Sequence, residues 1–175
     1  MGTPNGLLAP GGIPHPSRRF RLDGLCTGPA TDYAGRMTDW RELPDLKRMM
    51  AGHAGQLGLR YIDHGDDWAE VGFDYDPKLA MNETNGVLAS GPIISLIDSA
   101  SGLSIVATLK KQRPMATLDL RIDYVRAAPP GRPITARATC YKVTRNVAFV
   151  RCSAHDGDPE DPVAHSLATF FFTGD

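Results

Sequence analysis

The stretch from Ile93 to Ala107 constrains this chain more than any other. Ile93, Ile94, Leu96, Ile97, Ala100, Leu103, Ile105, Val106 and Ala107 leave no broad polar side, while Ser95, Ser99, Ser101, Gly102 and Ser104 keep the segment slim. A helix that is apolar nearly all round has to be buried. Its small residues allow a sheet to approach its backbone closely. Pro92 suits the first turn, where its missing N–H costs nothing, and Ser90 is the expected cap. Whatever this chain folds into must wrap around that helix.

The flanking segments read as the sheet that does so. Residues 57–64 and 68–75 look like two strands of a hairpin joined at Gly65-Asp66-Asp67, with Val71, Phe73 and Tyr75 alternating against Glu70, Gly72 and Asp74. Residues 76–90 carry Pro77, Asn82, Asn85 and Gly86 without a sustained period and read as a loop. Beyond Arg113 the period changes from helical to alternating, as Thr117, Asp119, Arg121 and Asp123 interleave with Leu118, Leu120, Ile122 and Tyr124. Further strands are expected at 134–144, 147–155 and 163–173. The order strand, strand, buried helix, four strands predicts an α+β domain whose antiparallel sheet curls around one long central helix. That domain is expected over residues 39–175, beginning with a surface helix at 39–56. Residues 1–38 hold Pro4, Pro10, Pro14, Pro16 and Pro29 among many glycines and read as an irregular extension. Within it, Arg18-Arg19-Phe20-Arg21 is either a patch for an anionic partner or simply a solvated arm.

Composition excludes several function classes. A formal charge of −1 lacks the basic footprint that phosphate-backbone binding needs, so nucleic acid is not an expected partner. Three cysteines without C-x-x-C spacing indicate neither a disulfide framework nor a zinc knuckle, and fit a reducing cytoplasm. The first residues lack the basic start and apolar run of a signal peptide. No run of roughly 18 uninterrupted apolar residues predicts a membrane span. His15, His53, His64, His155 and His165 show no metal-ligand pairing, so no metal is expected. Asp156, Asp158 and Asp161 read as part of a hairpin turn rather than a calcium loop.

Asp98 is the anomaly. A carboxylate among Ile94, Leu96, Ile97 and Leu103 faces apolar surroundings at considerable cost unless it is paired or used. It either hydrogen-bonds to a neighbouring strand, sits at a wet subunit interface, or performs chemistry. A helix starting at Gly91 and Pro92 leaves unpaired N–H groups about two turns away, and such an end can hold an oxyanion. A donor for a carbonyl oxygen and a carboxylate to attack or to activate water are the two parts that acyl transfer needs.

The run from Asn85 through Gly91 and Pro92 to Asp98 resembles the loop and central-helix motif of PaaI-like hotdog thioesterases. Residues 116–126 with Pro130-Gly131, residues 145–150 and residues 163–170 are similar to that family's later strands, in order and in spacing. The resemblance implies the hotdog fold and homo-oligomers, dimers or dimers of dimers, with active sites at the subunit interface. It implies an acyl-CoA substrate and no cofactor beyond the coenzyme A that the substrate brings. Asp98 would attack the thioester or activate water, and the Gly91 N–H would hold the carbonyl oxygen. Thr117, from the facing strand of a partner subunit, would help position water or substrate, and Asn85 would add a polar contact. Arg145, with Arg126 and Lys142 behind it, would meet coenzyme A phosphates. One departure stands out: the family usually reads His-Gly-Gly at the helix entrance, and this chain has Ala89-Ser90-Gly91. Two other readings therefore stay open, a non-catalytic acyl-CoA binding protein and an acyl-thioester hydratase or dehydratase.

Overall fold

The computed structural model describes residues 52–174. The expected N-terminal extension and most of the expected helix at 39–56 lie outside the described residues. The last part of that helix is present as α1 (Gly52–Gln56). Six strands form one antiparallel sheet: β1 (Arg60–His64), β2 (Trp68–Phe73), β3 (Met115–Tyr124), β4 (Ile134–Val143), β5 (Val147–His155) and β6 (Ala164–Phe172). Their spatial order is β1-β2-β4-β5-β6-β3. Between β2 and β3 runs the central helix α2 (Ser90–Leu109).

Alternation decides which face of the sheet meets α2. Ile134, Ala136, Ala138 and Cys140 of β4 are buried, as are Ala148, Val150, Cys152 and Ala154 of β5 and Ala164, Ser166, Ala168, Phe170 and Phe172 of β6. Most of these inward residues on the central strands are small, which lets the helix lie close to the sheet. The remaining volume is filled by Phe73, Ile93, Leu96, Ile97, Leu103 and Ile105, all fully or almost fully buried. Each such aliphatic or aromatic side chain contributes about 1.5–3 kcal/mol by leaving water. By length and composition α2 could cross a membrane, but 67% of that window is buried within this fold, as the core helix of a curled sheet must be.

The first hairpin is shorter than its letters suggest. Gly58 turns at φ 69° and β1 begins only at Arg60, while β2 stops at Phe73. The segment that follows is irregular but well tied. Asp76 caps a 3-10 turn at Pro77–Leu79, the Met81 N–H donates to the Val87 carbonyl at 2.7 Å, and Ala80 bridges Leu88. Tyr75 Oη donates to the Gly86 carbonyl at 2.9 Å. Gly86 has φ 63°, and a Cβ there would come within 3.0 Å of both Pro130 and the Tyr75 hydroxyl, so only glycine fits. This loop delivers the chain to the start of α2.

β3 is an edge strand. It pairs with β6 alone among the described residues, and a bulge interrupts the pairing between Thr117 and Asp119. Apart from half-buried Met115, Leu120 and Ile122 its residues are exposed, with Leu118 at 65%.

Candidate active site

The entrance of α2 differs from expectation in one respect. Ala89, not Ser90, occupies the cap position, with extended backbone at φ −67°, ψ 154° and no side-chain cap. Ser90 and Gly91 are already helical, and Pro92 follows within the first turn. An alanine methyl accepts no hydrogen bond, so the N–H groups of this turn are not taken up by a side-chain cap. Gly91 is exposed, and a Cβ built on it would meet nothing within 4 Å. Among the described residues, therefore, nothing fills the space beside Gly91 at the N-terminal end of this 20-residue helix, with its partial positive charge.

Two turns along, Asp98 is half-buried and accepts a hydrogen bond from Thr117 Oγ1 at 2.7 Å. Thr117 belongs to β3 of the same chain, on the face that looks toward α2, and the adjacent bulge aims it there. Thr117 is expected from a partner subunit, helping to position water or substrate; here the Thr117 of the same chain reaches Asp98, because β3 runs beside the helix it follows. The same strand reaches α2 a second time, where Tyr124 Oη donates to the Ser90 carbonyl at 3.3 Å. Partial burial holds the Tyr124 phenol above the ordinary tyrosine range. β3 thus braces α2 at its entrance and at Asp98. Sequence reasoning missed Tyr124, although its inward phase matches that of Leu120 and Ile122.

Gly91 and Asp98 lie seven residues apart on one helix, a rise of about 10 Å. A nucleophile and an oxyanion donor acting on one carbonyl must each come within about 3 Å of it. The Gly91 and Asp98 of one chain are too far apart to share one substrate.

The other sequence candidates separate into two groups. Asn85 is exposed and its side-chain oxygen accepts from the Val87 N–H at 3.1 Å, which leaves its amide NH2 to donate. Arg145 lies in the β4–β5 turn, exposed, with its carbonyl accepting from Arg113 Nη1 at 3.1 Å. Lys142 is exposed near the end of β4. That end of the sheet is also where β3 begins, since the Phe172 N–H donates to Asn146 and the Thr173 N–H to Pro114. Arg126 lies past the far end of β3 and is committed elsewhere. Its guanidinium donates to both oxygens of Asp156, at 2.5 and 3.3 Å, and to the Asp161 carbonyl. Its Nε is 3.0 Å from the Asp161 carboxylate without the alignment of a hydrogen bond. Hydrogen bonding to Arg126 holds the Asp156 carboxyl below the usual carboxylate range. An arginine occupied in this way does not serve a coenzyme A phosphate. The acidic turn that carries Asp156 and Asp161 is its counter-charge.

Two features lie away from this site. A cavity of about 690 Å³, lined by Arg137, Arg151, His155 and His165 among others, occupies the opposite face of the sheet. Cys140 and Cys152 are buried and unpaired, and burial pushes the Cys152 thiol up to about 12 and that of Cys140 upward. Neither is a thiolate nucleophile at neutral pH.

Comparison with known proteins finds similar chains of one family. The family model described as "Thioesterase superfamily" matches residues 85–163, from the loop before α2 to the start of β6. The medium/long-chain acyl-CoA thioesterase YigI of Salmonella typhimurium is 30% identical over 129 residues, covering 65% of this chain and 81% of that protein. A crystal structure of a Pseudomonas aeruginosa protein is 34% identical with a TM-score of 0.64, covering 71% of this chain and 93% of that one. A mutant form of the phenylacetic acid degradation protein PaaI of Thermus thermophilus shares the fold at 24% identity and a TM-score of 0.59, over 67% of this chain and 96% of that one.

Proposed function

Because the chain belongs to the thioesterase superfamily, with the PaaI-like hotdog fold, we propose that it hydrolyses an acyl-CoA thioester to the free acid and coenzyme A. The observation that carries this reading is Asp98 held by Thr117 at 2.7 Å, on the helix whose uncapped entrance has nothing among the described residues filling the space beside Gly91. Asp98 is the general base or nucleophile, and the Gly91 N–H is the oxyanion donor. In the general-base form, water gives a proton to Asp98 as its oxygen bonds the carbonyl carbon. The carbonyl electrons collect on the oxygen facing Gly91. On their return the C–S bond breaks, the electron pair leaves with sulfur, and the proton on Asp98 neutralises the thiolate.

The rise of about 10 Å along α2 gives this proposal a quaternary consequence. Two copies of the chain complete one site: one supplies Asp98 and Thr117, and the other supplies Gly91 and the Asn85 amide. The free edge of β3, with exposed Leu118, Tyr124 and Val125, is the surface on which such a homodimer forms. Pairing of dimers into a tetramer is compatible with it. Arg145 and Lys142 are the exposed cations for the coenzyme A phosphates. The reading places the protein in the cytoplasm, where unpaired Cys140 and Cys152 persist.

The test is thiol release from a panel of acyl-CoA esters by the wild type and by Asp98→Asn. Loss of the base is expected to lower kcat by about 10²- to 10⁴-fold. An undiminished Asp98→Asn overturns the assignment of the base. Binding without release by the wild type identifies the protein as a non-catalytic acyl-CoA binder. Reversible absorbance change of an enoyl-CoA identifies a hydratase.

A further inference from the structure

One histidine that sequence spacing leaves unconnected reaches the central helix. His53 Nε2 of α1 lies 3.2 Å from Ser95 Oγ of α2, a contact between residues 42 positions apart. Four residues after Gly91, Ser95 is displaced by about 40° around the helix, and three residues before Asp98 by about 60°. Ser95 therefore lies on the face of α2 that carries Asp98, about 4.5 Å along the axis from it.

Ser95 behaves unlike Ser104 and Thr108 deeper in the same helix. Ser104 Oγ donates to the Ser101 carbonyl at 2.7 Å, and Thr108 Oγ1 donates to the Ser104 carbonyl at 2.8 Å, which is how hydroxyls within a helix usually satisfy themselves. The partner of Ser95 is instead the imidazole, outside the helix. His53 is exposed, and α1 meets the core through half-buried Ala54, so the imidazole reaches Ser95 from outside the core. With the ring proton on Nε2, His53 donates to Ser95 Oγ and leaves the hydroxyl proton free to be aimed toward the substrate at Asp98.

We propose that Ser95 donates a hydrogen bond to the sulfur of the departing coenzyme A thiolate, and that His53 is the positioning residue that holds Ser95 in that orientation. This rests on the thioesterase reading above and extends it to the leaving group. Ser95 keeps its proton throughout: the C–S bond breaks, its electron pair stays on sulfur, and the hydroxyl stabilises the charge that develops there.

The experiment compares two substrates with the same acyl group, the coenzyme A thioester and the p-nitrothiophenyl thioester, whose thiolate is stable without help. Ser95→Ala is expected to lower kcat on the coenzyme A ester by about 10- to 100-fold, the effect of losing one hydrogen bond to a charged group, and to leave the p-nitrothiophenyl ester nearly untouched. His53→Phe should show the same selective loss. Adding it to Ser95→Ala should cost nothing further, because both act through one bond. His53→Gln and Ser95→Thr, which keep a donor and a hydroxyl, should recover most of the rate. Melting temperatures of all variants report whether α1 stays folded. Equal losses on both esters, or no loss on either, overturn the proposal. Asp98→Asn serves as the separate control: if it remains active on both esters the parent reading fails, whatever Ser95 does. A wild type without turnover on either ester overturns both.

Discussion

Replacing Gly91 with alanine separates stability from activity at one atom. Gly91 has ordinary helical backbone at the start of α2, and an added Cβ meets nothing within 4 Å of it in this chain. Where a helix accepts the methyl without a clash, a glycine-to-alanine change stabilises by about 0.4–1 kcal/mol, chiefly by restricting the unfolded chain. For a protein of this size that raises Tm by about 1–4 °C. The same methyl projects into the open space where the thioester carbonyl must approach the Gly91 N–H. Displacing a reacting group by about 1 Å costs about 10²-fold in rate. The expected variant is thus slightly more stable and about a hundredfold slower, measured by thermal unfolding and by thiol release from an acyl-CoA. A Gly91→Ala enzyme that turns over at the wild-type rate refutes the reasoning, because it shows that the carbonyl does not sit over this helix end. A lowered Tm refutes the structural half, by showing that the space is filled.

Further predictions concern the scaffold and the coenzyme A end. Asp156→Asn removes the main partner of Arg126 and is expected to destabilise the protein by about 1.5–3 kcal/mol in urea unfolding, the effect of losing hydrogen bonds between charged groups while the Asp161 carboxylate stays beside the guanidinium. Arg126 depresses the Asp156 carboxyl in the folded state, so its stabilisation is fully present above the unfolded value near pH 4 and is lost as pH falls through the lower folded value. The stability gap between wild type and Asp156→Asn should accordingly be flat at neutral pH and close in acid; a gap independent of pH contradicts the pairing. Gly72→Ala places a Cβ 2.9 Å from the Ile134 carbonyl and 2.8 Å from Ile62 in the hairpin, so it should cost about 1–3 kcal/mol through overpacking, read in the same unfolding experiment. Arg145→Glu should raise KM for acyl-CoA about 10-fold with kcat unchanged, an effect that shrinks at high salt. An unchanged KM removes Arg145 from the phosphate contacts.

Burial patterns explain what was legible in the sequence. Among the described residues β4, β5 and β6 are covered on one face, so Ile134, Ala136, Ala138 and Cys140 alternate cleanly with Thr135, Arg137 and Thr139, and their strands were readable to within a residue or two. α2 was readable because nothing but burial explains its composition. Its entrance was not: Ser90 has the chemistry of a cap, but the chain turns one residue earlier, at Ala89, and backbone geometry rather than side-chain chemistry sets the start. β3 was found by its alternation, which matches burial at Leu120 and Ile122 against Arg121 and Asp123, whereas Thr117 and Leu118 beside the bulge are both exposed. Asp98 stood out as a charge in an apolar run, and Thr117 through family resemblance. His53 carried no signal, because 42 residues separate it from Ser95 and only the packing of α1 brings them together. Arg126 misled for the opposite reason: its neighbour in space, Asp156, reads locally as part of a turn.

The pairing of β3 also dictates when the proposed catalytic apparatus can exist. β3 follows α2 directly in the chain, but its hydrogen-bonded neighbour is β6, with Thr117 opposite Phe170 and Tyr124 opposite Ala164. During synthesis Asp98 and Thr117 emerge close together, yet the strand that holds Thr117 has no ladder to join until the final strand has left the ribosome. Contacts between segments so distant in sequence form late, because the chain between them must first be ordered. A nascent or truncated chain that stops short of β6 therefore carries the whole central helix and none of the clamp that sets its carboxylate.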